Sequence, residues 1–231
     1  MNESDMAKPK LGLSMLGLLM VAACGDNASL TASTARSTVV PMDAEAWAIL
    51  YSPGMPPHPT PHTGSNGWYF DFPNAAGSVN YVLAAVNMAA SSSVDANISV
   101  TTIGTPEFIY NLQPDNNCTY PAHVRLLLQQ RGDDLSGTNG KQYFRWWTNT
   151  IAYQLAPGIA DLSASVTDLR QWTSVFGEKA NASPTATAGF KQAMSNLGNV
   201  GFAFGGGCFY GHGVRVSGGS ARFAVKNYTV K

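Results

Sequence analysis

His123-Val124-Arg125-Leu126-Leu127-Leu128-Gln129-Gln130-Arg131 and, further along, Tyr143-Phe144-Arg145-Trp146-Trp147-Thr148-Asn149 both alternate with a period of two. In the first run Val124, Leu126 and Leu128 point one way while His123, Arg125, Leu127, Gln129 and Arg131 point the other. In the second, Phe144 and Trp146 oppose Tyr143, Arg145, Trp147 and Asn149. Successive side chains on a strand leave opposite faces of a sheet, so each run is expected to be a strand with one face in a core. The pattern outside them is the same: short apolar stretches at 46–51, 67–72, 78–86, 97–103, 158–166, 199–204, 210–216 and 220–230, with Gly, Pro, Asn and Asp between.

One helix is expected, over 186–197, where Ala188, Phe190, Ala193, Met194 and Leu197 keep a helical period and Asn196 and Gly198 supply a stop. A second helical turn is expected within 171–176. Strands joined by turns rather than by helical crossovers pair antiparallel, so the expected fold is all-β: a two-sheet sandwich of the jelly-roll kind. Prolines from Pro53 to Pro61 lack the ladder donor and predict an exposed extended loop there.

The amino terminus has a different character. Lys8 and Lys10 precede the apolar run Leu11 to Met20, and Val21-Ala22-Ala23-Cys24 follows. A charged region, an apolar core and small residues before a cysteine resemble the bacterial lipobox. The resemblance implies lipidation of Cys24, removal of residues 1–23, and attachment to a bilayer by acyl chains; the apolar run is too short for a spanning helix, which needs about 20 residues. The resulting organisation is a signal peptide at 1–23, a small and polar tether at 24–42, and a sandwich domain at 43–231. The expected location is the bacterial cell envelope, at the outer membrane or cell surface.

Removing residues 1–23 takes away two of the 14 basic and two of the 14 acidic residues, so the remainder is neutral, and only 12% of the whole chain is charged. Binding to nucleic acid or to anionic lipid depends on clustered Lys and Arg, so neither is expected. Cys118 and Cys208 remain; in an exported protein they are expected to pair as a disulfide, which would contribute about 4 kcal/mol in the chain-entropy picture.

Carbohydrate is the partner suggested by the outward sides of the two opening runs. A pyranose offers an apolar C–H face to an aromatic ring and a rim of hydroxyls to planar polar groups. The residues expected to bind ligand are Arg125, Gln129, Tyr143, Arg145, Trp147 and Asn149, with Tyr210 and His212 from the glycine-rich run 199–216. The competing arrangement puts Trp147 and Tyr143 under a loop and pairs Arg145 with Asp133 or Asp134.

Gly67-Trp68-Tyr69-Phe70-Asp71-Phe72-Pro73, Tyr143 to Trp147, the glycine-rich run and the final strand Ala221-Arg222-Phe223-Ala224-Val225 resemble the strands of galactose-binding-like jelly rolls that serve as carbohydrate-binding modules. The resemblance implies sugar binding on a concave face or in apical loops, and a structural calcium for which Asp133 and Asp134 are the conceivable ligands. No catalytic motif is present: there is no Gly-x-Ser-x-Gly, His-Glu-x-x-His or Cys-x-x-Cys, and no acid pair stands out for glycoside cleavage. The expectation is therefore a lipid-anchored, non-catalytic carbohydrate binder, with a structural or adhesive protein contacting another envelope protein as the alternative.

Overall fold

The computed structural model describes residues 38–51, 60–74, 77–110, 121–207 and 211–231. The signal peptide, Cys24, most of the proline loop, Cys118, Cys208 and Tyr210 lie outside them. Twelve strands and one α-helix are found among the described residues. The strands are β1 (Thr38–Val39), β2 (Trp47–Tyr51), β3 (His62–Gly64), β4 (Gly67–Asp71), β5 (Val79–Met88), β6 (Ser93–Tyr110), β7 (Ala122–Gln130), β8 (Arg145–Gln154), β9 (Gly158–Ser165), β10 (Trp172–Ser174), β11 (Leu197–Gly206) and β12 (Val214–Val230), and the helix is α1 (Pro184–Ser195).

All strand pairing is antiparallel. Sheet A runs β10-β8-β7-β11-β5-β2, and sheet B runs β9-β6-β12-β4-β3 with β1 beside the end of β12. A single bridge, Val214 to Val79, joins the layers. The chain crosses repeatedly from one layer to the other, which makes this the antiparallel β-sandwich of jelly-roll type that strand patterning predicts.

Aromatic side chains from both sheets fill the space between the layers. The Phe202 and Phe204 rings of sheet A lie 5.4 and 5.2 Å from Phe223 of sheet B, edge to face, and Trp47 lies 4.7 Å from Trp68. Such pairs contribute about 0.5–1.5 kcal/mol beyond the area they bury. Tyr228, wholly buried, donates its hydroxyl across the gap to the carbonyl of Gly201 at 3.1 Å. That bond satisfies a polar group that would otherwise be stranded in the core.

Several element boundaries differ from the sequence expectation for physical reasons. The helix begins two residues early because the Ser183 side chain caps it, accepting from the Ala186 amide at 3.0 Å, and Pro184 supplies the first turn. Its end comes at Ser195, and Leu197 already belongs to β11. The turn expected in 171–176 is a short 3-10 helix at Leu169–Gln171, after which Trp172 to Ser174 form a strand. The two strands expected at 210–216 and 220–230 are one: Gly218, with φ +75°, makes a bulge against β6 instead of a turn, and β6 itself continues past Gly104 to Tyr110. Packing also begins before Asp43, since Thr38 and Val39 zip onto β12 and Val40 is buried.

Candidate functional site

The outer face of sheet A carries the residues singled out in the sequence. β7 lies beside β8, with Leu127 opposite Trp147 and Gln129 opposite Arg145. Side chains on this face form a hydrogen-bonded chain across the sheet. The Asn199 amide donates to Gln129 Oε1 at 2.8 Å, and Gln129 Nε2 donates to Asp133 at 2.7 Å. Arg145 Nε also donates to Asp133 at 2.8 Å, and Arg145 Nη1 reaches the Tyr81 hydroxyl at 3.2 Å. Burial opposes the charge on Arg145, but the bonds to Asp133 and Tyr81 outweigh it and hold its pKa above the ordinary arginine value.

This network is enclosed. Trp147 is 4% exposed and packs with Leu127, Leu83 and Ala203 in a small cluster flanked by Leu50, Tyr81 and Val175. Arg125 donates to the carbonyls of Thr148, Asn149 and Gly207 at 3.1, 2.8 and 3.0 Å. The Asn149 amide donates to Arg170 O and Thr173 Oγ1, both at 2.9 Å. Arg145 Nη2 and Asn149 Oδ1 are buried without a hydrogen-bond partner among the described residues.

Two expected members lie elsewhere. Tyr143 precedes the strand, stacks on Trp146 with an interplanar angle of 12°, and donates its hydroxyl to Glu178 at 2.7 Å, so it stands beside α1 rather than beside Arg145. The parity of the run breaks at the turns that close at Phe144, whose amide donates to Lys141 O. His212 is half-buried at the loop preceding β12, where the neighbouring Gly211 carbonyl accepts from Asn80; burial pushes its pKa down. The aspartates offered for calcium do not fit it. Asp133 is bound by Arg145, Gln129 and the Leu135 amide, while Asp134 is bound by Lys141 and Ser136. Among the described residues no group of three or more His, Cys, Asp or Glu is placed to hold a metal.

The outer face of sheet B is open, and a groove of about 330 Å³ crosses it. The β3–β4 hairpin forms one end, with Ser65 and Asn66 in a two-residue turn between paired Gly64 and Gly67. Gly67 has φ +112°, and a Cβ there would meet the Val225 carbonyl at 2.0 Å, so only glycine lets the hairpin lie this close to β12. Tyr69 stands opposite Ala224, and Ala224 opposite Ser99, so small residues make a low floor beside the ring. Arg222 and Lys226 flank Ala224 along β12 and both line the groove, Lys226 from a bulge.

Arg222 is fixed in place. Its Nε and Nη2 donate to Asp71 at 2.8 and 3.0 Å, and its guanidinium carbon sits 3.8 Å from the Tyr69 ring centre. Donation to Asp71 raises the Arg222 pKa, and the cation–π contact orients the ring. The His62 ring lies 5.3 Å from Tyr69. Ser65, Asn66, Ser99 and Lys226 make no side-chain hydrogen bond among the described residues, so an aromatic ring is surrounded by groups free to bond a ligand. Sequence alone passed over this site because its members come from separate strands; the signal that existed was the outward parity of Tyr69 and Arg222.

No protein-family model and no curated protein sequence matches the chain. Among solved structures it is similar to the xylan-binding module CBM15, at 9% identity over 84% of this chain and 95% of that one, with a TM-score of 0.41. It is also similar to a family 11 carbohydrate-binding module from Clostridium thermocellum in complex with a β-1,3-1,4-mixed-linked tetrasaccharide, at 8% identity over 84% of this chain and 94% of that one, with a TM-score of 0.43.

Proposed function

We propose that this chain is a lipid-anchored protein of the bacterial cell envelope whose sandwich binds carbohydrate without cleaving it. The observation that carries the binding is the groove on sheet B: a half-buried Tyr69 ring, a floor of Ala224 and Ser99, and uncommitted polar groups on Ser65, Asn66 and Lys226. Arg222 covers one face of the Tyr69 ring, so a sugar lying in the groove would set C–H groups against the part of the ring that Arg222 leaves open and hydroxyls against the rim. Cleavage is not proposed, because it needs two carboxyl groups across the bond and no carboxylate lines the groove. The anchor rests on the Val21 to Cys24 sequence.

The full chain, purified in detergent, is expected to bind at least one member of a glycan panel, and Tyr69→Ala to lose that binding with its melting temperature nearly unchanged. Binding that survives Tyr69→Ala would remove the groove from the proposal. For the anchor, mass spectrometry of the mature protein is expected to find diacylglycerol on Cys24, and Cys24→Ser to remain unlipidated.

A second reading places the ligand on the outer face of sheet A, and the partnerless Nη2 of Arg145 favours it. Under that reading Arg145→Lys abolishes glycan binding while Tyr69→Ala leaves it intact.

A further inference from the structure

We infer that the sheet B groove selects acidic sugars, with Lys226 as the residue that recognises the carboxylate of a uronic acid unit. The inference rests on the reading of this groove as a carbohydrate site and adds the class of sugar.

The charged side chains lining the groove are Arg222 and Lys226, and no acid lines it. Arg222 is neutralised in place by its two-pronged bond to Asp71. Two further aspartates lie on this face outside the groove: Asp161 of β9, across β6 from β12, accepts from the side-chain amide of Asn97, and Asp95 of β6 is paired with Lys231 at 3.0 Å. Lys226 is exposed and makes no ion pair among the described residues. The groove therefore presents one net positive charge beside its aromatic ring.

Position supports the same conclusion. Ala224 is directly opposite Tyr69, and Lys226, the extra residue of a bulge between Val225 and Asn227, lines the same groove. Its flexible stem lets the ammonium reach the rim of a sugar held against the ring, where a uronic acid carries a carboxylate in place of the hydroxymethyl group of a neutral sugar. A neutral sugar would fill the same space and leave the ammonium to water. An ammonium is a point charge with three donors and suits a single carboxylate.

The test compares polygalacturonate with its fully methyl-esterified, neutral form, using the full chain in detergent at low and high salt. The expected result is binding to the acid form about two- to fivefold tighter at low salt, as one solvent-exposed ion pair allows, with the preference shrinking at high salt. Lys226→Gln is expected to bring the two forms to equal affinity, Lys226→Arg to keep most of the preference, and Tyr69→Ala to weaken both. Sulfated dextran serves as a polyanion without the sugar acid.

Equal binding of the two forms by the unaltered chain, a preference that persists in Lys226→Gln, or dextran sulfate binding as tight as polygalacturonate would each overturn the inference. Binding of neutral glycans alone would overturn it while leaving the carbohydrate reading intact. Failure to bind any glycan would remove both.

Discussion

The two outer faces of the sandwich carry nearly the same chemistry and use it in opposite ways. Sheet A sets Arg145 against Asp133 beside Tyr81; sheet B sets Arg222 against Asp71 beside Tyr69. The side chains of the first pair are 4% and 0% exposed, and those of the second are 44% and 49% exposed. A buried pair is a structural element, because removing either partner leaves a charge in a place that water does not reach. An exposed pair contributes little to stability and stays available to a ligand. An arginine, an aspartate and a tyrosine therefore do not define a binding site until their burial is known.

That comparison is broken most directly at Asp133. Asp133→Ala is expected to destabilise the fold by about 3–5 kcal/mol, because it strands the buried Arg145 charge and removes the acceptor for Gln129. Equilibrium unfolding in urea measures it, and a loss below about 1 kcal/mol would mean that the face is wet and that the two pairs are equivalent. Trp147→Ala comes next, at about 3 kcal/mol or somewhat more, since it opens a cavity among Leu127, Leu83 and Ala203. Glycan binding by whatever folded protein remains is expected to be unchanged, which separates a packing tryptophan from a stacking one.

Asp71→Ala, the counterpart on sheet B, is expected to cost about 1 kcal/mol or less in the same unfolding assay. Freed from Asp71, Arg222 adds a second uncompensated charge to the groove, so affinity for an acidic glycan is expected to rise rather than fall. A destabilisation as large as that of Asp133→Ala would abolish the distinction between the faces. The smallest effect is that of salt: raising ionic strength should erase the stability difference between Asp71→Ala and the unaltered chain, yet leave that of Asp133→Ala almost untouched, because buried pairs are poorly screened.

Much of the architecture was readable from residue order. The alternation in β7 names its core side, Val124, Leu126 and Leu128, correctly because side-chain direction on a strand is a local property. The same logic failed at Tyr143, where turns before Arg145 reset the parity. It failed again at Gly218, because a glycine that makes a bulge and one that makes a turn look identical until the partner strand is known. The candidate site was less legible. The polar groups of β7 and β8 were found, and the competing arrangement that pairs Arg145 with Asp133 is the one the structure shows, but the engagement with Tyr81 and Asn199 is a fact about strands far away in the chain.

Residue order alone sets the period-two strands, the antiparallel all-β class, the helix near 186–197, and a terminal segment whose lipobox-like cysteine raises the expectation of an anchor. Each follows from the order of neighbouring residues, which dictates backbone preference and side-chain direction. Only the tertiary structure decided that the outer face of sheet A is filled while that of sheet B is open, and that Ser65, Asn66, Tyr69, Ser99, Arg222 and Lys226 share one groove. Burial is set by what remote segments bring together, and the β3–β4 hairpin, β6 and β12 become neighbours only when sheet B assembles.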